Sequence, residues 1–239
     1  MKILPLAFLI SLTLAAYHPP ASSDNQGDSI ESFCFGSSYL TQYNSNLDIF
    51  KTINEHKPQL WLWLGDAVQV AEPNYFDIFK STSTVQKSSF NIYEKLKNIP
   101  EYKKLAKSTK VIGTWNDLDY GFFKGNGDFA DKEITKANFL NFLEVPKMGD
   151  ERREPGRGIY TTHTYGQGEK SIRFIILDTR FHKKGGIMEK DMLGEEQWAW
   201  LEKVLNNINE VFTFIVSSNP ILPFNRILNE GWFPESRKR

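Results

Sequence analysis

The chain has 239 residues, 29 basic and 29 acidic side chains and a formal net charge of zero. A balanced charge supplies no field to recruit nucleic acid or an anionic membrane surface, which excludes both as electrostatic partners. With 40% hydrophobic and 24% charged residues the composition is globular, and beyond a short leader the length suits one domain.

Lys2 opens the chain, an apolar run covers residues 3–14, and Ala15 and Ala16 follow as small residues. That layout predicts a secretory signal peptide over residues 1–16 and hence an exported protein. The run is shorter than the roughly 20 residues a helix needs to cross a bilayer. Residues 17–29, polar and containing Pro19 and Pro20, predict a disordered mature N-terminus, with the folded domain over residues 30–239. No later stretch is apolar for long enough to span a membrane. Cys34 is the single cysteine, so no intrachain disulfide forms and the core must supply the stability. Its strand position marks it as a core cysteine.

Apolar runs predict buried strands at residues 33–35, 60–64, 110–112, 172–177 and 211–216. Helical spacing lies between them. Leu47, Phe50 and Ile53 mark a helix over residues 46–56, and Ile134, Phe139, Leu140 and Phe142 mark one over residues 131–143. The clearest covers residues 194–208, where Glu195 and Glu196 suit the positive N-terminal end and Trp198, Leu201, Leu205 and Ile208 form one stripe. Strands alternating with helices predict an α/β fold. Trp61, Trp63 and Trp198 fall on core positions, so packing accounts for the aromatic richness. Residues 124–128, Lys-Gly-Asn-Gly-Asp, have no helix start of P-loop type after them and predict a flexible loop.

Every predicted strand ends in polar residues: Gly36-Ser37-Ser38, Gly65-Asp66, Trp115-Asn116-Asp117, Asp178-Thr179-Arg180 and Ser217-Ser218-Asn219. In such a fold the strand ends gather ligands on one side of the sheet, and carboxylate and amide oxygens there suit a hard or borderline metal. The last ending, followed by Pro220, reads as turn chemistry alone. Leu118, between Asp117 and Asp119, offers nothing to a metal or a proton.

In order and spacing, several fragments together resemble the PhoD-like alkaline phosphatases, a branch of the calcineurin-like metallophosphoesterases. They are FGSS (35–38), LWLGD (62–66), GTWNDLDYG (113–121), GIY (158–160), LDTR (177–180), MLGEEQWAWLEKVL (192–205) and EGWFPESRKR (230–239). The resemblance implies a sandwich of two mixed β-sheets flanked by helices, and a two-metal centre that hydrolyses phosphate mono- or diesters. Calcium, iron, zinc and manganese are the divalent ions it suggests. By position, Asp66 would bridge the metals, Asp117 would hold the second, and Asn116 and Ser38 stand where further ligands are expected. Arg180 would face either the substrate or the sheet.

Departures from the family's pattern sit on the same centre. Leu118 replaces a histidine that handles protons or binds the phosphoryl oxygen. Asn116 replaces an aspartate, Gln69 a tyrosine and Ser38 a cysteine. The family's terminal Gly-Asp-x-His signature, which supplies further ligands, does not follow residue 239, so the last strands are expected to be missing and a sheet edge to be bare. His18, His56, His163 and His182 lack metal-ligand spacing and are expected to be structural or solvated. Asp117 and Asp119 then read as the remains of a metal-and-proton site. The expected function is a secreted phosphoesterase with weak or lost activity; the alternatives are a non-catalytic secreted binding or scaffold protein on the same fold, or a truncated gene product.

Overall fold

The computed structural model describes residues 28–39, 49–70, 85–184, 191–222 and 231–232, with the backbone alone at residues 85–88. The expected signal peptide and most of the expected disordered segment lie outside these residues. At its start the described chain is already tied down, for Gly166 N–H donates to Asp28 O at 2.9 Å and Gln59 Nε2 donates to Ser29 O at 3.3 Å.

The first sheet is parallel and made of β1 (Phe33–Gly36), β2 (Leu60–Leu64) and β3 (Lys110–Thr114), in that order. Parallel neighbours require crossovers. Helix α1 (Ile49–His56) supplies the first, and α2 (Val85–Lys97) with α3 (Pro100–Ser108) the second. Pro100 starts α3 because its missing N–H costs nothing at a first helical position, while the preceding Ile99 is extended. The central strand, Leu-Trp-Leu-Trp-Leu, reads as one apolar run because both of its faces are covered. Trp61 and Trp63 pack toward the helices with Phe50, Tyr93, Tyr102, Phe139 and Phe142. Leu60 and Leu62 pack the other way. Cys34 packs against the helical side, as a core cysteine should.

The second sheet is mixed and has the order β4 (Thr161–Tyr165), β5 (Ile172–Ile176), β6 (Phe212–Val216). β4 and β5 form an antiparallel hairpin, and β6 lies parallel to β5 after the crossover through α6 (Gly194–Leu205). Leu60, Leu62 and Ile112 of the first sheet meet Phe174, Ile176 and Val216 of the second in the inter-sheet core. On the far face Ile175 and Leu177 pack with Met192, Leu193 and Leu201. The expected two-sheet sandwich flanked by helices is therefore the architecture, with the first sheet wholly parallel among the described residues.

Two remaining helices shape the strand ends: the short α4 (Asp117–Tyr120) and α5 (Lys132–Phe142), which falls inside the expected range and buries Phe139, Leu140 and Phe142. The stripe expected on the last helix is shorter than its spacing implied. α6 stops at Leu205, and both Leu205 and Ile208 are exposed, which leaves Trp198 and Leu201 as the packed positions. No helix among the described residues is long and apolar enough to cross a membrane.

Trp63 sits at the centre of the helical-side core, with Nε1 donating to Tyr102 Oη at 3.3 Å. Trp63→Ala should lower the unfolding free energy by about 3–5 kcal/mol, measured by urea denaturation. Phe90→Ala, at a half-exposed position of α2, should cost less than about 0.5 kcal/mol.

Candidate functional site

The C-terminal ends of β2, β3, β5 and β6 meet at one point. Thr114 Oγ1 donates to Leu177 O at 2.7 Å and so joins the two sheets there. Gly65 turns with φ +103°, and a Cβ at that position would lie 2.7 Å from Asn116 Cβ and 3.0 Å from Ser218 Cβ. Only glycine permits three strand ends to approach so closely. The next residue, Asp66, is left-handed at φ 52°, a conformation that costs a non-glycine residue energy unless its surroundings hold it.

Its own carboxylate holds it. Asp66 Oδ1 accepts from Leu118 N–H at 3.1 Å and Oδ2 accepts from Asn116 Nδ2 at 3.0 Å. Asn116 in turn accepts through Oδ1 from Arg180, at 3.1 Å from Nε and 2.6 Å from Nη2. Arg180 is fully buried. Its Nη1 donates to Gly125 O at 3.2 Å and Nη2 reaches Asn219 Oδ1 at 3.3 Å. Asp117 lies at the margin: Oδ1 is 4.0 Å from Arg180 Nη2, and Oδ2 accepts from Lys124 N–H at 2.9 Å. Ser38 is exposed and joins through its backbone, donating to Gly65 O at 3.3 Å.

Asp66, Asn116, Asp117 and Arg180 thus converge as expected, and Ser38 reaches them by its main chain. Asp119 has a different part from the one its spacing suggested. It is fully buried, and its carboxylate accepts from Asn116 N–H at 2.6 Å and Ala67 N–H at 3.1 Å. That carboxylate laces α4 to the turn after β2 and faces no open space. Leu118 contributes its backbone, with N–H to Asp66 and O accepting from Val70 N–H at 2.9 Å.

Two supports escaped the sequence reading. Asn219, read there as turn chemistry, accepts from Thr179 Oγ1 at 2.8 Å as well as from Arg180. Asp178 is a hub beneath the site. Oδ1 accepts from Trp115 Nε1 at 2.8 Å, Arg180 N–H at 2.9 Å and Phe181 N–H at 3.0 Å, while Oδ2 accepts from Ile159 N–H at 2.9 Å. The Asn that follows a strand and precedes a proline was the available signal for Asn219. Nothing in its spacing separates it from an ordinary turn.

Burial pushes the Asp66 carboxyl above the ordinary carboxylate range; neighbouring Asp117 adds to the rise, and the bonds from Asn116 and Leu118 oppose it. Burial pushes Asp119 well above that range, and the charge of Asp66 adds to it.

This donor set does not fit a two-metal centre. Both oxygens of Asp66 and of Asp119 accept hydrogen bonds, the Asn116 oxygen is taken up by a guanidinium, and among the described residues no three His, Cys, Asp or Glu side chains are grouped to hold a metal. Of the histidines, His56 is exposed, His163 is buried on β4, and burial lowers the pKa of His182; His18 lies outside the described residues.

No family model and no curated protein matches the sequence. Among solved structures, that of PhoD is similar over 83% of this chain, with 16% identity and a TM-score of 0.57. The chain has a PhoD-like fold. It spans 42% of the length of PhoD, and the likeness is one of architecture.

Because Asp66 and Asp119 keep their protons to higher pH when folded, their contribution to stability is complete below the unfolded carboxylate pKa near 4 and is lost as pH rises through the folded values. The urea midpoint should therefore fall as the pH is raised above the unfolded carboxylate pKa near 4. Asp66→Asn, whose amide suits the left-handed turn, should flatten that fall; an equal slope in both proteins would show that Asp66 titrates as an ordinary carboxylate.

Proposed function

We propose that this chain is an exported protein built on the PhoD-like phosphoesterase fold, whose own strand-end site has weak or no hydrolytic activity toward phosphate mono- and diesters. Export rests on the signal-peptide pattern of residues 1–16. The observation that carries the loss of activity is the buried bridge from Arg180 through the Asn116 amide to Asp66. A divalent ion bound by Asp66 would need those oxygens released, and it would meet a fixed guanidinium charge 4.0 Å from Asp117. A cation added beside that buried guanidinium would be repelled by it.

Arg180 acts here as the residue that positions Asn116, since no part of it is exposed to a substrate. Leu118 supplies no proton handling, and Gln69, buried beside the turn, has only a neutral oxygen where the resemblance expects a phenol. Calcium, iron, zinc and manganese are the ions to be tried, and a phosphate ester is the substrate class. A binding or scaffold role on the same fold is the second reading, favoured by the apolar residues left exposed along β6.

Aryl phosphate mono- and diester hydrolysis, assayed with each ion, should equal that of an Asp66→Ala control, and Leu118→His should not raise it. Because a ligand present at 100 times its dissociation constant stabilises a fold by roughly 2.7 kcal/mol, millimolar manganese or zinc should leave the unfolding midpoint unchanged. Metal-dependent turnover above the control, together with a raised midpoint, would restore the phosphoesterase reading.

A further inference from the structure

We infer that Asn126 is a spontaneous modification site, the carboxamide of an Asn-Gly pair that the fold keeps from cyclising and that local opening releases. The inference does not depend on the activity of the strand-end site. Asn126-Gly127 is the only Asn-Gly pair in the sequence. In such a pair no Cβ on the second residue shields the backbone nitrogen or restricts its torsions, so that nitrogen reaches the preceding side chain with the least hindrance.

Gly127 N loses its proton to base and attacks Asn126 Cγ. A C–N bond forms, the Cγ–Nδ2 bond breaks, and ammonia leaves with a proton taken from solvent. Water then opens the cyclic imide at either of its carbonyls. The products are an aspartate and an isoaspartate, in which the main chain runs through the former side chain and gains a methylene.

The sequence predicts a flexible loop over residues 124–128, yet each of these residues is held by a hydrogen bond of its main chain. Lys124 N–H donates to Asp117 Oδ2 at 2.9 Å, Gly125 N–H to Phe122 O at 2.7 Å and Asp128 N–H to Asn126 Oδ1 at 3.0 Å. The bond from Asp128 polarises the very carbon that would be attacked. Asn126 O accepts from Tyr120 Oη at 2.9 Å and from Phe129 N–H at 3.2 Å, which draws electron density from the Gly127 nitrogen across the peptide. Both partners are thus primed, and a single bond opposes them. Gly127 N–H donates to Lys183 O at 2.9 Å, and Lys183 is fixed in turn, because its N–H donates to Arg180 O at 3.1 Å and Lys184 N–H donates to Asp191 O at 2.8 Å. While that bond lasts the nitrogen keeps its proton and no nucleophile forms. The lock therefore decides the rate, since polarisation acts on a step that cannot begin before the proton leaves.

Conversion changes the structure around it. A Cβ at Gly127 would lie 3.0 Å from Phe181 O and 3.3 Å from Lys183 O, so the backbone there has no room for an extra methylene. Gly125 O, in the preceding peptide, accepts from Arg180 Nη1 at 3.2 Å. Isoaspartate at position 126 displaces the loop that holds one side of the buried guanidinium, and an opened molecule that has reacted cannot return to the starting fold.

Peptide mapping by mass spectrometry after incubation at mildly alkaline pH reads the conversion directly. Folded protein should convert at Asn126 at least about tenfold more slowly than the same protein in concentrated guanidinium chloride, because the reaction waits on local opening. Lys132→Met, which removes the bond from Lys132 Nζ to Gly127 O, should raise the conversion rate and the hydrogen-exchange rate of the Gly127 amide by the same factor. Returned to buffer, converted protein should unfold at a lower urea midpoint. Asn126→Ser has no carboxamide to cyclise and can still accept from Asp128 N–H, so it should pass through the same incubation unchanged. Should either variant fail to fold, conversion compared with Gly127 exchange in the unaltered protein, across sub-denaturing urea, decides. Equal conversion in folded and unfolded protein, conversion that does not track Gly127 exchange, or converted protein with the original midpoint would each overturn the proposal.

Discussion

Two sheets, laid face to face, bring the polar ends of four strands to one buried point, and a cation with nowhere to go must be satisfied there. Arg180 is that cation. Its guanidinium donates twice to Asn116, and Asn116 passes the constraint on to Asp66, which sits in a left-handed turn that its own hydrogen bonds maintain. Gly65 makes the approach possible because a Cβ would strike the ends of two other strands. Asp178 and Asn219 hold the far side of the guanidinium's loop in place. Removing one partner of such a chain would leave a buried charge or amide unpaired, which costs more than the bond itself contributes.

This arrangement also gives each of the site's carboxylates a structural partner. Asp119 is conspicuous in sequence because it lies two residues from Asp117, but in a short helix that spacing puts it at the third position, where a carboxylate satisfies the free N–H groups of the first turn. Its neighbour Asp117 faces the edge of the site and is held by Lys124 N–H. Acids that sit side by side in the chain thus do different work, one closing a turn and the other standing near the guanidinium.

How much was legible follows from which physical signals are local. Strands covered on both faces must be apolar throughout, so β2 stood out, as did β5 from Phe174 to Ile176; β6 stood out by its apolar run although most of its side chains are exposed. The pairing of Trp61 with Trp63 on one face and Leu60 with Leu62 on the other follows from the two-residue period. Helices α2 and α3 did not stand out. Their lysines dilute the apolar pattern, and the residues that define them, Tyr93, Leu96, Tyr102 and Leu105, become a set only when packed against Phe139 and Phe142. The convergence of Asp66, Asn116, Asp117 and Arg180 was legible from their place at strand ends. The direction of each oxygen was not, because it depends on partners 50 to 64 residues away, as in the Asn116 bonds to Asp66 and Arg180.

The central claim is that Arg180 and Asn116 form one energetic unit that occupies the site. A double-mutant cycle of Arg180→Met and Asn116→Ala, with stability read from urea unfolding, measures it directly. A charge-assisted bond of this kind predicts a coupling energy of roughly 1.5–3 kcal/mol. Additive effects, with a coupling near zero, would mean that the guanidinium and the amide are neighbours without being partners, and the site would then be free to take another occupant.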